Sequence, residues 1–142
     1  MREVLPIMYK QGSGQIINII SGIAFIALPY QSLYSATKSA LNALSLALRY
    51  EYGDYNIKIS SATPGTTATA IWGDGPVPES AQSPQQSASR ILNGAANNDR
   101  IIMGDDSDAK YAKKCFDVAH QGEMDEFVFG IARARRRGEV GY

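Results

Sequence analysis

The sequence predicts an α/β chain: a partial doubly wound parallel sheet of about three strands, at 15–21, 56–63 and 100–103, with helices between them and a helical C-terminal tail. Three observations carry this prediction. The run "QIINIIS", 15 to 21, is β-branched and apolar with almost no alternation, the pattern of a strand buried on both faces of a parallel sheet. Apolar residues at Leu33, Ala36, Ala40, Leu41, Leu44, Ala47 and Leu48 recur at helical spacing. A second strand-like run, "NIKISSATP", closes at Pro64-Gly65. Strand, helix and strand in that order read as a right-handed crossover unit.

Each element has its local reason. Ser32 is expected to cap the long helix, which "YGDY" ends. Residues 66–85 are rich in Thr, Gly, Pro and Ser and are long for a plain connection, which suggests a functional lid or disorder. Over 83–96 the sequence predicts a further helix, with Ser83 as N-cap and Pro84 at the first helical position. "RIIMG", 100–104, is a third short strand. "DSDAKYAKKCFDVAH" and "EMDEFVFGIARARRRG" predict two tail helices, the second ending in arginines 133 to 137. The chain therefore divides into 1–104, carrying the sheet, and a helical extension, 105–142.

Composition narrows the function classes. With 142 residues, 44% of them hydrophobic, the chain can bury one ordinary core. Fourteen Lys and Arg balance fourteen Asp and Glu, so no global charge points to nucleic acid. A single cysteine, Cys115, excludes an internal disulfide and a cysteine-based metal cluster, and fits a reducing compartment. The most apolar stretch, Ile16 to Leu28, is too short to span a bilayer. A cytoplasmic protein is expected, binding neither nucleic acid nor membrane. Asp105, Asp106 and Asp108 lack the glycine and closing glutamate of a calcium loop and read as a solvated turn; no metal site is expected. The arginines at 133–137 read as a solvated helix end, against the alternative of a contact to phosphate or nucleic acid. His120 and Cys115 read as a surface residue and half-buried packing.

The pair Tyr34 and Lys38 has two readings on spacing alone. Four residues apart on a helix, the side chains share a face. They are then an exposed amphipathic pair, or a phenol whose ionised form the ammonium stabilises for proton transfer. Ser21 stands where the first strand runs out, and Pro64-Gly65 where the second does. A crossover unit brings both to the end of the sheet where open α/β folds bind ligands, beside the start of the Tyr34 helix.

Together, "GQIINIISGIAF", P-x₄-YSATKSAL and "NIKISSATPGTTAT" resemble the short-chain dehydrogenase/reductases, NAD(P)-dependent enzymes on a Rossmann-like sheet. The match runs from about Leu5 to Thr69 and includes Ser21 thirteen residues before Tyr34, Y-x-x-x-K, and P-G-x-x-x-T. The resemblance implies hydride transfer between NAD or NADP and a carbonyl or alcohol substrate, with Ser21, Tyr34 and Lys38 catalytic. Tyr34 would be the general acid or base, and Ser21 would hold the substrate oxygen. Lys38 would tune Tyr34 and hold the nicotinamide ribose. Pro64, Gly65, Thr66, Thr67 and Thr69 would contact the cofactor together with Tyr34 and Lys38, and the 70–85 loop would close over substrate. It also implies a homo-oligomer through the 32–52 helix, whose Ala36, Ala40, Ala43 and Ala47 permit close approach.

By the same resemblance the chain corresponds to the last three strands of the order 3-2-1-4-5-6-7. "REVLPIMYKQGSG" corresponds to the end of the helix before them, and the glycine-rich dinucleotide turn is not found. The expectation is a truncated C-terminal half, with the alternative of an inactive fragment or pseudoenzyme acting only in association.

Overall fold

Gly14–Ile19 (β1), Ile57–Thr63 (β2) and Ile101–Met103 (β3) form one parallel sheet in the order β1-β2-β3. In this computed structural model residues 1–140 are described, so positions 141–142 of the expected tail lie outside the described residues. The helices are Leu5–Gln11 (α1), Ser32–Glu51 (α2), Pro84–Ala96 (α3), Asp106–Cys115 (α4) and Gln121–Arg136 (α5). The register pairs Ile16 with Ile59 and Ser61 with Ile101.

The period of two along each strand sorts the core onto two faces. Ile57 and Ile59 pack with Leu5 on one face, joined by Ile16, Met8 and Leu48. Ala62 and Ile102 pack with Ala95 on the other, joined by Ile17 and Ile91. Helices α1 and α2 therefore cover one face and α3 the other. Strands added in one direction with helices on opposite faces give the two crossovers opposite hands.

The burial expected of β1 belongs instead to β2. From Ile59 to Thr63 every residue of β2 is buried, because strands flank it on both sides. β1 forms an edge of the sheet among the described residues, with Gln15 and Ile19 exposed.

The long helix also departs from its sequence pattern. Ser32 is its first residue rather than its cap; Gln31 holds the cap position without a side-chain bond. The buried residues of α2 are Ser35 and Ser45, while Leu33 (83%) and Leu44 (48%) are exposed. Small side chains face the sheet because the helix lies close on it. Ser45 Oγ accepts from Asn18 Nδ2 at 2.8 Å and donates to the Leu41 carbonyl at 2.6 Å, so the buried hydroxyl is fully used. Arg49 ties the other end of α2 down, donating to the Ile59 carbonyl at 2.7 Å and to Asn98 Oδ1 at 2.9 Å.

Helix α3 begins as its sequence predicts. Ser83 Oγ accepts from the Gln86 amide, and Gln86 Oε1 accepts from the Ser83 amide, a reciprocal capping box with Pro84 in the first turn.

Candidate active site

The carboxyl ends of three parallel strands meet at one place, and each is followed by a residue with chemistry. After β1 comes Ser21, after β2 the turn Pro64-Gly65-Thr66, after β3 the segment Asp105 to Asp108. A cavity of about 360 Å³ lies there, lined by Ser21, Tyr34, Pro64, Gly65 and Thr66 among others. That size suits a small-molecule site.

Ser21 caps a short 3₁₀ turn, Gly22–Ala24, and its Oγ accepts from the Ile23 amide at 3.4 Å. As an acceptor there, it keeps its own proton for another oxygen. Tyr34 stands in the first turn of α2 with 45% of its surface exposed. Lys38, one turn on, places Nζ 5.7 Å from the Tyr34 ring centroid. Its ammonium donates to the Ile19 carbonyl at 3.1 Å, at the end of β1. That bond aims the cation at the strand end and beside the phenol, from outside the cavity lining.

The turn after β2 is held from β3. Asp105 Oδ2 accepts from the Thr66 amide at 2.7 Å, while its Oδ1 accepts from the Asp108 amide at 2.6 Å and caps α4. Gly65 has φ +71°, and a Cβ there would meet Asp105 Oδ2 at 2.5 Å, so only glycine fits both the turn and its clasp. Gln82 adds bonds from Nε2 to the Pro64 and Gly104 carbonyls, each 2.9 Å.

The expected solvated acidic turn is therefore corrected. Asp105 is a structural clasp. Asp108 is partly buried: a Cβ on Gly22 would sit 2.3 Å from its Oδ1, and its Oδ2 is buried without a partner. Burial pushes the Asp108 carboxyl up; a bond from the Thr63 hydroxyl opposes this, and the nearby charge of Asp105 adds to it. Asp106 alone is exposed, its carboxyl held down by its hydrogen bond and ion pair with Arg90. At the arginine end Arg133, Arg136 and Arg137 are exposed as expected, while Arg135 is buried and donates to the Pro29 carbonyl at 2.5 Å. Burial raises the Cys115 thiol.

Of the residues singled out from sequence, Ser21, Tyr34, Pro64, Gly65 and Thr66 share the cavity. Lys38 reaches the site through Tyr34 and Ile19, while Thr67 and Thr69 turn inward on their own loop. Thr67 Oγ1 donates to the Pro64 carbonyl at 3.1 Å, and Thr69 Oγ1 accepts from the Ile71 amide at 3.4 Å. The 70–85 loop does not line the cavity; Ile71 is 86% exposed. The opposite wall comes from the tail, through Tyr111, Phe127 and Ile131. Asp105, Asp108 and these tail residues had one available signal, their place just after a predicted third strand.

A phenol, a hydroxyl and a glycine turn gathered at the carboxyl ends of parallel strands define the class, a doubly wound α/β protein of Rossmann type. The model of the short chain dehydrogenase family matches residues 1–76, and the chain belongs to that family of oxidoreductases. It is 42% identical over 60 residues to an uncharacterized oxidoreductase of Thermotoga maritima, covering 42% of this chain and 24% of that protein. It is 35% identical over 123 residues to a dehydrogenase/reductase SDR family protein 7-like of Drosophila melanogaster, covering 78% and 38%. A short-chain dehydrogenase from Sphingobium yanoikuyae in complex with NADPH superposes with a TM-score of 0.67 at 27% identity, covering 84% of this chain and 48% of that one. The chain thus spans well under half the length of these curated relatives. No helix among the described residues is long and apolar enough to cross a membrane.

Proposed function

We propose that the chain carries the reacting residues of an NAD(P)-dependent oxidoreductase that interconverts a carbonyl and an alcohol. The observation that supports this most is the shared cavity of Ser21, Tyr34 and the Pro64-Gly65-Thr66 turn. Tyr34 gives its phenolic proton to the substrate oxygen as the carbonyl carbon is reduced, and takes it back in the reverse direction. Ser21 donates a hydrogen bond to the same oxygen, where negative charge develops. Lys38 sets its positive charge beside the Tyr34 ring, one helical turn away on the same face of α2.

The residues present fit the nicotinamide end of a dinucleotide. The Pro64-Gly65 turn lines the cavity beside Tyr34, where a flat ring meets it, and Lys38 supplies a cation for ribose hydroxyls. A bound nicotinamide supplies or accepts the hydride. The Thr66 amide is already taken by Asp105, so that turn approaches a ring by its surface rather than by this donor. Among the described residues, no strand leads into a helix through a glycine-rich turn of the kind that holds a diphosphate.

A second reading, a chain that acts only by association, is supported by the solvent-facing side of α2. Ala36, Ala40, Ala43 and Ala47 are all exposed there beside Leu33 and Leu44. On either reading that face is the proposed homo-oligomer contact. The reducing cytoplasm is the proposed location, which the free Cys115 suits.

Turnover of neutral ketones with NADPH, followed by nicotinamide absorbance, separates the two readings. Catalysis by this chain that Tyr34→Phe lowers by about 10² or more supports the oxidoreductase. Turnover unchanged in Tyr34→Phe refutes the assigned acid. No turnover, together with a concentration-dependent dimer, favours the association reading.

A further inference from the structure

The cavity beside Tyr34 has two unlike sides. Its floor is polar: Ser21, the Thr66 end of the β2 turn, and Asp108. Its walls are mainly apolar, Gln31 and Ser107 apart. One comes from the segment after β1, through Ile23, Ile26 and Leu28, and the other from the tail, through Tyr111, Phe127 and Ile131. Tyr111 and Phe127 stack with centroids 4.8 Å apart and rings 12° from parallel, which makes a flat apolar surface. Arg135 holds the first wall by bonding the Pro29 carbonyl, so α5 fixes both sides at once.

Charge is as informative as shape. Among the described lining residues Asp108 is the one with a charged side chain, and it is a carboxylate whose Oδ2 has no partner. Lys38 donates to the Ile19 carbonyl and lies outside the lining. An anionic group entering this space would lose its water, meet no cation in the lining and face a like charge. An apolar ring would lie on the Tyr111–Phe127 surface instead. The volume, about 360 Å³, equals roughly a dozen waters at about 30 Å³ each, enough for one ring and a short chain.

We propose that this cavity takes a neutral ketone or secondary alcohol whose apolar ring or branched chain lies against α4 and α5, and that it rejects carboxylate- and phosphate-bearing substrates. The inference rests on the placement of Ser21 and Tyr34 as the reacting pair, since that puts the carbonyl on the polar floor. Phe127 and Tyr111 are then specificity residues for the apolar part, and Asp108 the residue that excludes anions.

The test is binding to the chain without cofactor, by amide and methyl NMR titration with two matched probes. Acetophenone is neutral; benzoylformate carries the same ring and ketone with an added carboxylate. Acetophenone is expected to shift Ile23, Ile131 and Gly22, with benzoylformate about tenfold weaker or more. Asp108→Asn should narrow that gap by about threefold. Phe127→Ala should weaken acetophenone about tenfold. Tyr111→Leu serves as the second variant where the first loses its folded spectrum. Equal or tighter binding of benzoylformate, shifts confined to other surfaces, or no binding of either probe overturns the proposal. Ketone binding in the cavity with no NADPH-dependent turnover leaves the cavity assignment standing and removes the reaction. Turnover that prefers the keto acid does the reverse.

Discussion

Replacing Asp105 by alanine should unlock the turn after β2 and the start of α4 together, because one carboxylate holds both. Its Oδ1 caps α4 through the Asp108 amide at 2.6 Å, and removal of such a cap costs about 1 kcal/mol. Its Oδ2 holds the partly buried Thr66 amide at 2.7 Å, a charge-assisted bond of about 1.5–3 kcal/mol. Water replaces part of this bond at a half-buried site, so the sum is about 2–4 kcal/mol. For a chain of this size that lowers the melting temperature by roughly 6–12 °C. Urea denaturation followed by circular dichroism gives the free energy, and amide exchange at Thr66 and Asp108 gives the location. Asp105→Ser should restore the cap alone, recovering about 1 kcal/mol while the Thr66 amide still exchanges fast. An Asp105→Ala variant within about 0.5 kcal/mol of the parent, the range of featureless surface changes, would refute the clasp. So would a serine variant that recovers everything.

Other consequences follow from buried polar groups. Burial raises the Asp108 carboxyl above its ordinary value of 3.8, so the folded chain holds that proton more tightly than the unfolded chain. Stability from this group is therefore greatest below the ordinary carboxylate range and falls as pH rises through the raised value. Asp108→Asn should be more stable than the parent at neutral pH, with the advantage fading below about pH 4, as melting temperatures across pH will show. Arg49→Ala leaves the fully buried Ile59 carbonyl without its donor and should cost about 1–3 kcal/mol, read by denaturant midpoint; Arg49→Lys should recover only part. Titration of nicotinamide fluorescence should show NADPH binding to this chain weaker than micromolar, since its described residues reach only one end of the dinucleotide; a micromolar dissociation constant contradicts that.

The features legible in the residues alone are those that short-range physics controls. The strands at 15–21 and 56–63, the Ser83 capping box and the glycine at Gly65 depend on neighbours a few residues away. The grouping of Ser21, Tyr34 and the Pro64-Gly65 turn was legible too, because a strand–helix–strand unit permits few arrangements of its ends. The remaining features depend on contacts between residues far apart in the chain. The apolar stripe of α2 implied a buried leucine face, yet Ser35 and Ser45 are buried, because closeness to the sheet selects small side chains over apolar ones. The acidic cluster implied solvation, yet Asp105 binds an amide 39 residues away, a distance at which no local pattern operates. The tail carried no recognisable motif, and its role as a wall of the cavity exists only once Arg135 meets Pro29, 106 residues earlier. Periodicity reports which residues share a face; only packing reports what that face meets.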